Sequence, residues 1–172
     1  AQESRGLGDV YKRQEYVWPD GSKTQWGSAF WAVPEKQLPG QHAWATPSWA
    51  DLDGDGTDEL AITRYDGHGT GASLEALHVL EPGEDGGYTL AATFTLGEEE
   101  TVWVEAVLKE LGLDELSCGY ICYFPDLFTV DIGICDPVNG PPLGNYVGTL
   151  TCTLAYDGQS LTLTDPVYAP SV

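Results

Sequence analysis

Residues 51–59 read Asp-Leu-Asp-Gly-Asp-Gly-Thr-Asp-Glu, five acidic side chains in nine residues. No helix or strand interior accommodates this run. Its glycines favour backbone conformations that a Cβ forbids, and Asp beside Gly favours turns. Its like charges repel at close range. The stretch is therefore a surface loop, and the alternation of Asp51, Asp53 and Asp55 lets three carboxylates face one point. A hard cation with a preference for oxygen removes the repulsion. Ca²⁺ suits best, because it accepts an irregular cage of 6–8 oxygens. The bland alternative is a solvated Asp-Gly turn that binds nothing.

The flanks decide what kind of loop this is. In an EF-hand loop, ligands fall at positions 1, 3, 5, 7, 9 and 12. Counted from Asp51, position 12 is Ile62, which cannot ligate. Leu60-Ala61-Ile62-Thr63-Arg64-Tyr65 reads as a strand, and Pro47 argues against a helix ahead of the loop. An acidic loop between two strands, running Ala50-Asp51-Leu52-Asp53-Gly54-Asp55-Gly56-Thr57-Asp58-Glu59-Leu60-Ala61-Ile62, resembles the calcium loop of the FG-GAP and VCBS repeats. These are the blade units of integrin-type β-propellers. The resemblance covers roughly residues 45–95. It implies a Ca²⁺ held by the side chains of Asp51, Asp53, Asp55 and Glu59 and by the carbonyl of Thr57, with Asp58 outside the shell. The family more often has Asp where Glu59 stands. Only one such loop occurs, so this chain cannot build a whole propeller.

Around the loop the pattern is mainly β. Tyr16-Val17-Trp18, the turn Pro19-Asp20-Gly21-Ser22 and Thr24–Trp31 predict a hairpin. Strands are expected before Trp49, at 60–65, at 74–80 and at 88–94, with Asp66–Gly71 as the turn after the second. Four strands in sequence make an antiparallel meander, the order of one propeller blade. Trp103, Val107 and Leu111, with Ala106 and Leu108 beside them, predict one amphipathic helix within 97–112. Thr95 with Glu98 offers a capping box and Gly112 a stop. Strands near 117–124, 127–135, 146–156 and 160–167 predict a second sheet over 116–168, with Asp157-Gly158 as a hairpin turn. The expected fold is thus mainly β: antiparallel meander sheets with a blade-like unit at 45–95, plus one helix, in a single domain spanning 15–172.

Asp9-Val10-Tyr11-Lys12-Arg13-Gln14 resembles one reading frame of the end of a sequencing transposon, so 1–14 is read as a non-native tail. The net charge of −20 argues against nucleic acid and anionic membrane surfaces as partners. No apolar run is long enough to span a bilayer. The four cysteines, Cys118, Cys122, Cys135 and Cys152, are compatible with disulfides or buried thiols. Zinc ranks behind both, because Cys-x-x-Cys spacing is absent.

These features predict a non-enzymatic Ca²⁺-binding module, extracellular or on a cell surface. The family resemblance and the transposon-like tail together suggest a bacterial source. One alternative is a carbohydrate- or peptide-binding module using exposed Trp, drawn from Trp18, Trp26, Trp31, Trp44 and Trp49, although core packing is the commoner use of Trp. The other is a hydrolase using His68 with Asp66 and nearby carboxylates. For that reading a nucleophile is missing, and no hydrolase or zinc-protease motif is present.

Overall fold

The structure is a computed structural model describing residues 14–17, 23–26, 45–69, 71–83, 87–138 and 145–171. The chain divides into two units, Ala1–Thr46 and Pro47–Val172. In the first, β1 (Gln14–Val17) pairs antiparallel with β2 (Lys23–Trp26), Gln14 opposite Trp26 and Val17 opposite Lys23. That is the hairpin read from the sequence, while the expected continuation to Trp31 lies outside the described residues. So does the proposed tail apart from Gln14.

Among the described residues, the rest is mainly β with one helix. β3 (Ala45–Ala50), β4 (Glu59–Gly69), β5 (Ala72–Pro82) and β6 (Tyr88–Phe94) follow one another as neighbours in one sheet. β4–β5 and β5–β6 are antiparallel. β3 lies at the sheet edge, where Pro47, lacking an N–H, is tolerated. β4 runs further than the sequence suggests. Gly67, His68 and Gly69 stay paired with β5, the irregularity being absorbed between Tyr65 and Gly67. Glycine admits such a bulge within a strand, so β4 continues to Gly69, and Gly71 ahead of β5 takes a φ of +77°.

Helix α1 (Glu98–Glu110) buries Val104, Val107 and Leu108. The sequence reading had the right helix with part of the wrong face. Leu111 is half exposed and Ala106 exposed, while Val104 lies inside. An i, i+3, i+4 stripe through Val104 explains this better than the four-residue spacing from Trp103. The helix opens at Gly97, whose N–H donates to Glu100 Oε2 (3.0 Å), rather than through Thr95 and Glu98. It closes as expected: Gly112 has φ +74°, and the N–H groups of Gly112 and Leu113 donate to the carbonyls of Lys109 and Leu108, a Schellman ending.

β7 (Ser117–Asp126), β8 (Thr129–Cys135), β9 (Tyr146–Tyr156) and β10 (Leu161–Pro170) form an antiparallel series. They are not a separate second sheet. β5 and β7 pair in parallel at Ser73–Ile121 and Leu74–Cys122, giving the continuous order β10-β9-β8-β7-β5-β4-β3, with β6 on β5. Beyond those two positions, that side of β5 is taken by β6 from Leu77 onward. The seam is braced by Tyr146. Its ring occupies space that a Cβ at Gly119 or Gly133 would need, 2.5 and 2.7 Å from ring carbon Cε1. Its hydroxyl donates to the Gly71 carbonyl (2.6 Å) and accepts from the Tyr120 N–H (3.0 Å).

One face of the sheet, with α1, encloses the core. Ala61, Leu77, Val79, Phe94, Leu108, Val130, Ile132, Leu150, Cys152, Leu154 and Tyr156 belong to a single buried cluster. β9 supplies alternate residues to it, as a half-buried strand must.

Candidate metal centre

The acidic loop leaves β3 at Ala50 and re-enters β4 at Glu59. Gly54 and Gly56 take φ values of +81° and +92°. Nothing lies within 4 Å of a Cβ built at either, so glycine is needed there for backbone conformation rather than for space. The carboxylates order the turn themselves. Asp51 Oδ1 accepts from Gly54 N (2.8 Å), and Oδ2 accepts from Gly56 N (3.1 Å). Asp53 Oδ1 accepts from Asp55 N (3.0 Å), and Asp55 Oδ1 from Thr57 N (2.7 Å). These amide dipoles offset part of the crowding of charge.

Carboxylate oxygens of Asp51, Asp53 and Glu59 all lie within 4.8 Å of one another. Two oxygens on one Ca²⁺ at 2.3–2.6 Å can be at most about 5 Å apart, so the three satisfy the limit for a common centre. Asp51 and Asp53 are exposed. Glu59 is fully buried. It shares the core-facing side of β4 with Ala61, two residues along. Its Oε2 accepts from Leu52 N (2.7 Å), while Oε1 is buried without a hydrogen-bond partner. Burial pushes the Glu59 carboxyl above its usual range. The Leu52 N–H opposes this more weakly, and the charges of Glu81, Asp53 and Asp55 add to the upward push.

Of the five ligands read from the sequence, the structure thus gathers Asp51, Asp53 and Glu59. The Asp55 carboxylate lies outside that group and caps Thr57 instead. Thr57 itself sits on the exposed part of the loop. The sequence reading missed what surrounds the group. Glu81 stands one step beyond the Leu60–Leu80 pair, on the strand beside Glu59, and its Oε1 accepts from the Tyr156 hydroxyl (2.6 Å). Two residues further along, a Cβ at Gly158 would come 3.1 Å from Asp53 Oδ2. The β9–β10 turn is therefore seated against the loop. It is held in shape by Asp157 Oδ1, which accepts from Ser160 N and Gln159 N. Those bonds keep the Asp157 carboxyl below its usual range. Only the Asp-Gly pair in that turn was visible as a signal, and nothing in it pointed to Asp53.

The alternative readings gain little. His68 pairs through its backbone with Ser73, but the side chains of 66–68 lie outside the described ones, so an Asp66–His68 pair has no geometry. Trp18, Trp31 and Trp44 also lie outside the described residues, and the side chain of Trp26 outside the described side chains. Trp49 is 45% exposed and its Nε1 donates to the Tyr88 hydroxyl (3.2 Å). All four cysteines are free thiols. Burial pushes Cys118 up to about 11, and Cys122 and Cys152 up to about 12, which disfavours the thiolate form of these three. No described helix is long and apolar enough to cross a membrane. Comparison with protein-family models, with curated proteins and with solved structures finds no match to this chain.

Proposed function

We propose that this chain is a non-enzymatic Ca²⁺-binding module whose loop 51–59 holds the cation through Asp51, Asp53 and Glu59. The observation that carries the reading is the lone Glu59 Oε1, fully buried yet without a partner, beside two further carboxylates at ligand spacing. A buried charged oxygen without compensation is unfavourable by a few kcal/mol, and a divalent cation supplies the compensation directly. Asp55 and the Thr57 carbonyl complete the proposed shell when the loop tightens round the ion. The cation then joins the end of β3 to the start of β4. It fixes their register and stabilises the edge of the sheet.

The strand order β3-β4-β5-β6 is that of one blade of an FG-GAP or VCBS propeller, which supports the family reading. The fork at β5 distinguishes this unit from a free blade. An open loop with two exposed carboxylates suits the weak sites of extracellular modules, on the order of 10⁻⁴–10⁻³ M. Such a site fills where Ca²⁺ is millimolar, so we place the protein outside the cell or on its surface. Calorimetric melting of the native protein and of Asp53→Ala, each with Ca²⁺ and with chelator, tests the reading. Only native protein with Ca²⁺ should melt higher, and equal midpoints in all four samples refute it.

A further inference from the structure

We infer that the cation site has two parts, with the β9–β10 turn, a hundred residues downstream of the loop, setting its affinity through Gly158 and Tyr156. The inference rests on the proposed function and adds positioning residues to it. Asp53 Oδ1 accepts from the Asp55 N–H, and Oδ2 is the second carboxylate oxygen this residue can offer a cation. Oδ2 is also the atom against Gly158, 3.1 Å from where a Cβ would stand. Gly158 has φ +85°, so the residue is glycine for conformation and for clearance at once. Any side chain there presses on Asp53.

The second contact works through Glu81. The Tyr156 hydroxyl holds Glu81 Oε1 at 2.6 Å, and Glu81 stands one step beyond the Leu60–Leu80 pair, on the strand beside Glu59. Fixing Glu81 fixes the negative field around the buried ligand. Tyr156 is itself part of the core, only 8% exposed. Neither Gly158 nor Tyr156 gives an oxygen to the cation. Groups behind the ligands of a metal site commonly change affinity about 10–100-fold when altered.

The test is titration of the full chain with Ca²⁺ by isothermal calorimetry, and with Tb³⁺ by luminescence lifetimes in H₂O and D₂O, which count waters on the ion. Gly158→Ala should bind Ca²⁺ about 10-fold or more weakly and add bound water, because Asp53 is displaced. Gly112→Ala is the control. Gly112 has the same left-handed backbone, φ +74°, with nothing within 4 Å of its Cβ position. It should lower the melting point and leave affinity and water count unchanged. Tyr156→Phe, which keeps the ring in the core, should weaken Ca²⁺ binding with only a small change in melting, and it decides the matter if Gly158→Ala does not fold. Native affinity and water count in both Gly158→Ala and Tyr156→Phe overturn the inference while leaving the site intact. Absence of both calorimetric heat and bound-Tb³⁺ luminescence from the native chain overturns the site and the inference together.

Discussion

Replacing Glu59 by Gln should change the sign of its effect with the metal. In chelator, the native protein carries a buried carboxylate oxygen with no partner. Gln is nearly the same size, keeps an oxygen to accept the Leu52 N–H, and turns an NH₂ donor toward the oxygens of Asp51 and Asp53. Relieving an unsatisfied buried polar atom is worth about 1–3 kcal/mol, more when it is charged. The unit Pro47–Val172 has about 125 residues. At roughly 2.1 cal/mol/K of unfolding entropy per residue, 1 kcal/mol shifts its melting point by about 4 °C. Glu59→Gln should therefore melt about 4–12 °C above the native protein in chelator. With Ca²⁺ at about 10–100 times its dissociation constant, the native protein gains about 1.4–2.7 kcal/mol, or about 5–10 °C. The variant, missing a charged ligand, should gain little. Differential scanning calorimetry on four samples reads the interaction directly. A variant that is less stable than native protein in chelator, or that responds equally to Ca²⁺, refutes the argument from the lone oxygen.

Further outcomes follow from the same geometry. The Glu59 carboxyl lies above its ordinary value of 4.5 in the folded state, so between the unfolded and folded values the native state binds the proton more tightly. Stability measured against Glu59→Gln in chelator should be greatest below about pH 4.5 and fall as pH rises through the folded value. Ca²⁺ should flatten that slope, and a difference independent of pH would contradict it. With Cys122 and Cys152 raised from 9.0 to about 12, their thiolate populations near pH 8 fall about 1,000-fold. Ellman's reagent should react with them only after denaturation, and rapid native reaction would show the strands open. Gly133→Ala places a Cβ 2.7 Å from the Tyr146 ring and should destabilise by about 1–3 kcal/mol, read as a lower midpoint in urea.

The mainly β class, the single helix and the acidic loop were legible because each depends on a local pattern. Gly112 stops the helix wherever the sheet lies. Alternation along 146–156 gives β9 without knowledge of its neighbours. The buried face of α1 was legible only in part, because Val104 and Leu111 are both apolar and the packing partner chooses between them. The joining of two presumed sheets was not legible, since it rests on two parallel pairs, Ser73–Ile121 and Leu74–Cys122, separated by β6 and α1. In the site, the grouping of Asp51, Asp53 and Glu59 is among what the resemblance to the FG-GAP and VCBS loop implies. That Asp55 accepts from the Thr57 N–H was not legible, because a carboxylate that ligates and one that caps a turn look alike in sequence. Glu81, Tyr156 and Gly158 were invisible, for they reach the loop only through the fold.

The narrow junction between β5 and β7 has a mechanical consequence. Pairs such as β4–β5 and β8–β9 share long ladders, but here two residue pairs meet, reinforced by the Tyr146 hydroxyl of β9 and by the Glu75 carboxylate of β5, which accepts from the Phe124 N–H of β7. Under tension applied across the molecule, the tear should start at this line. It would split the protein into an N-terminal piece bearing the acidic loop and a C-terminal piece bearing the thiols. Removing the hydroxyl tie with Tyr146→Phe should lower the rupture force.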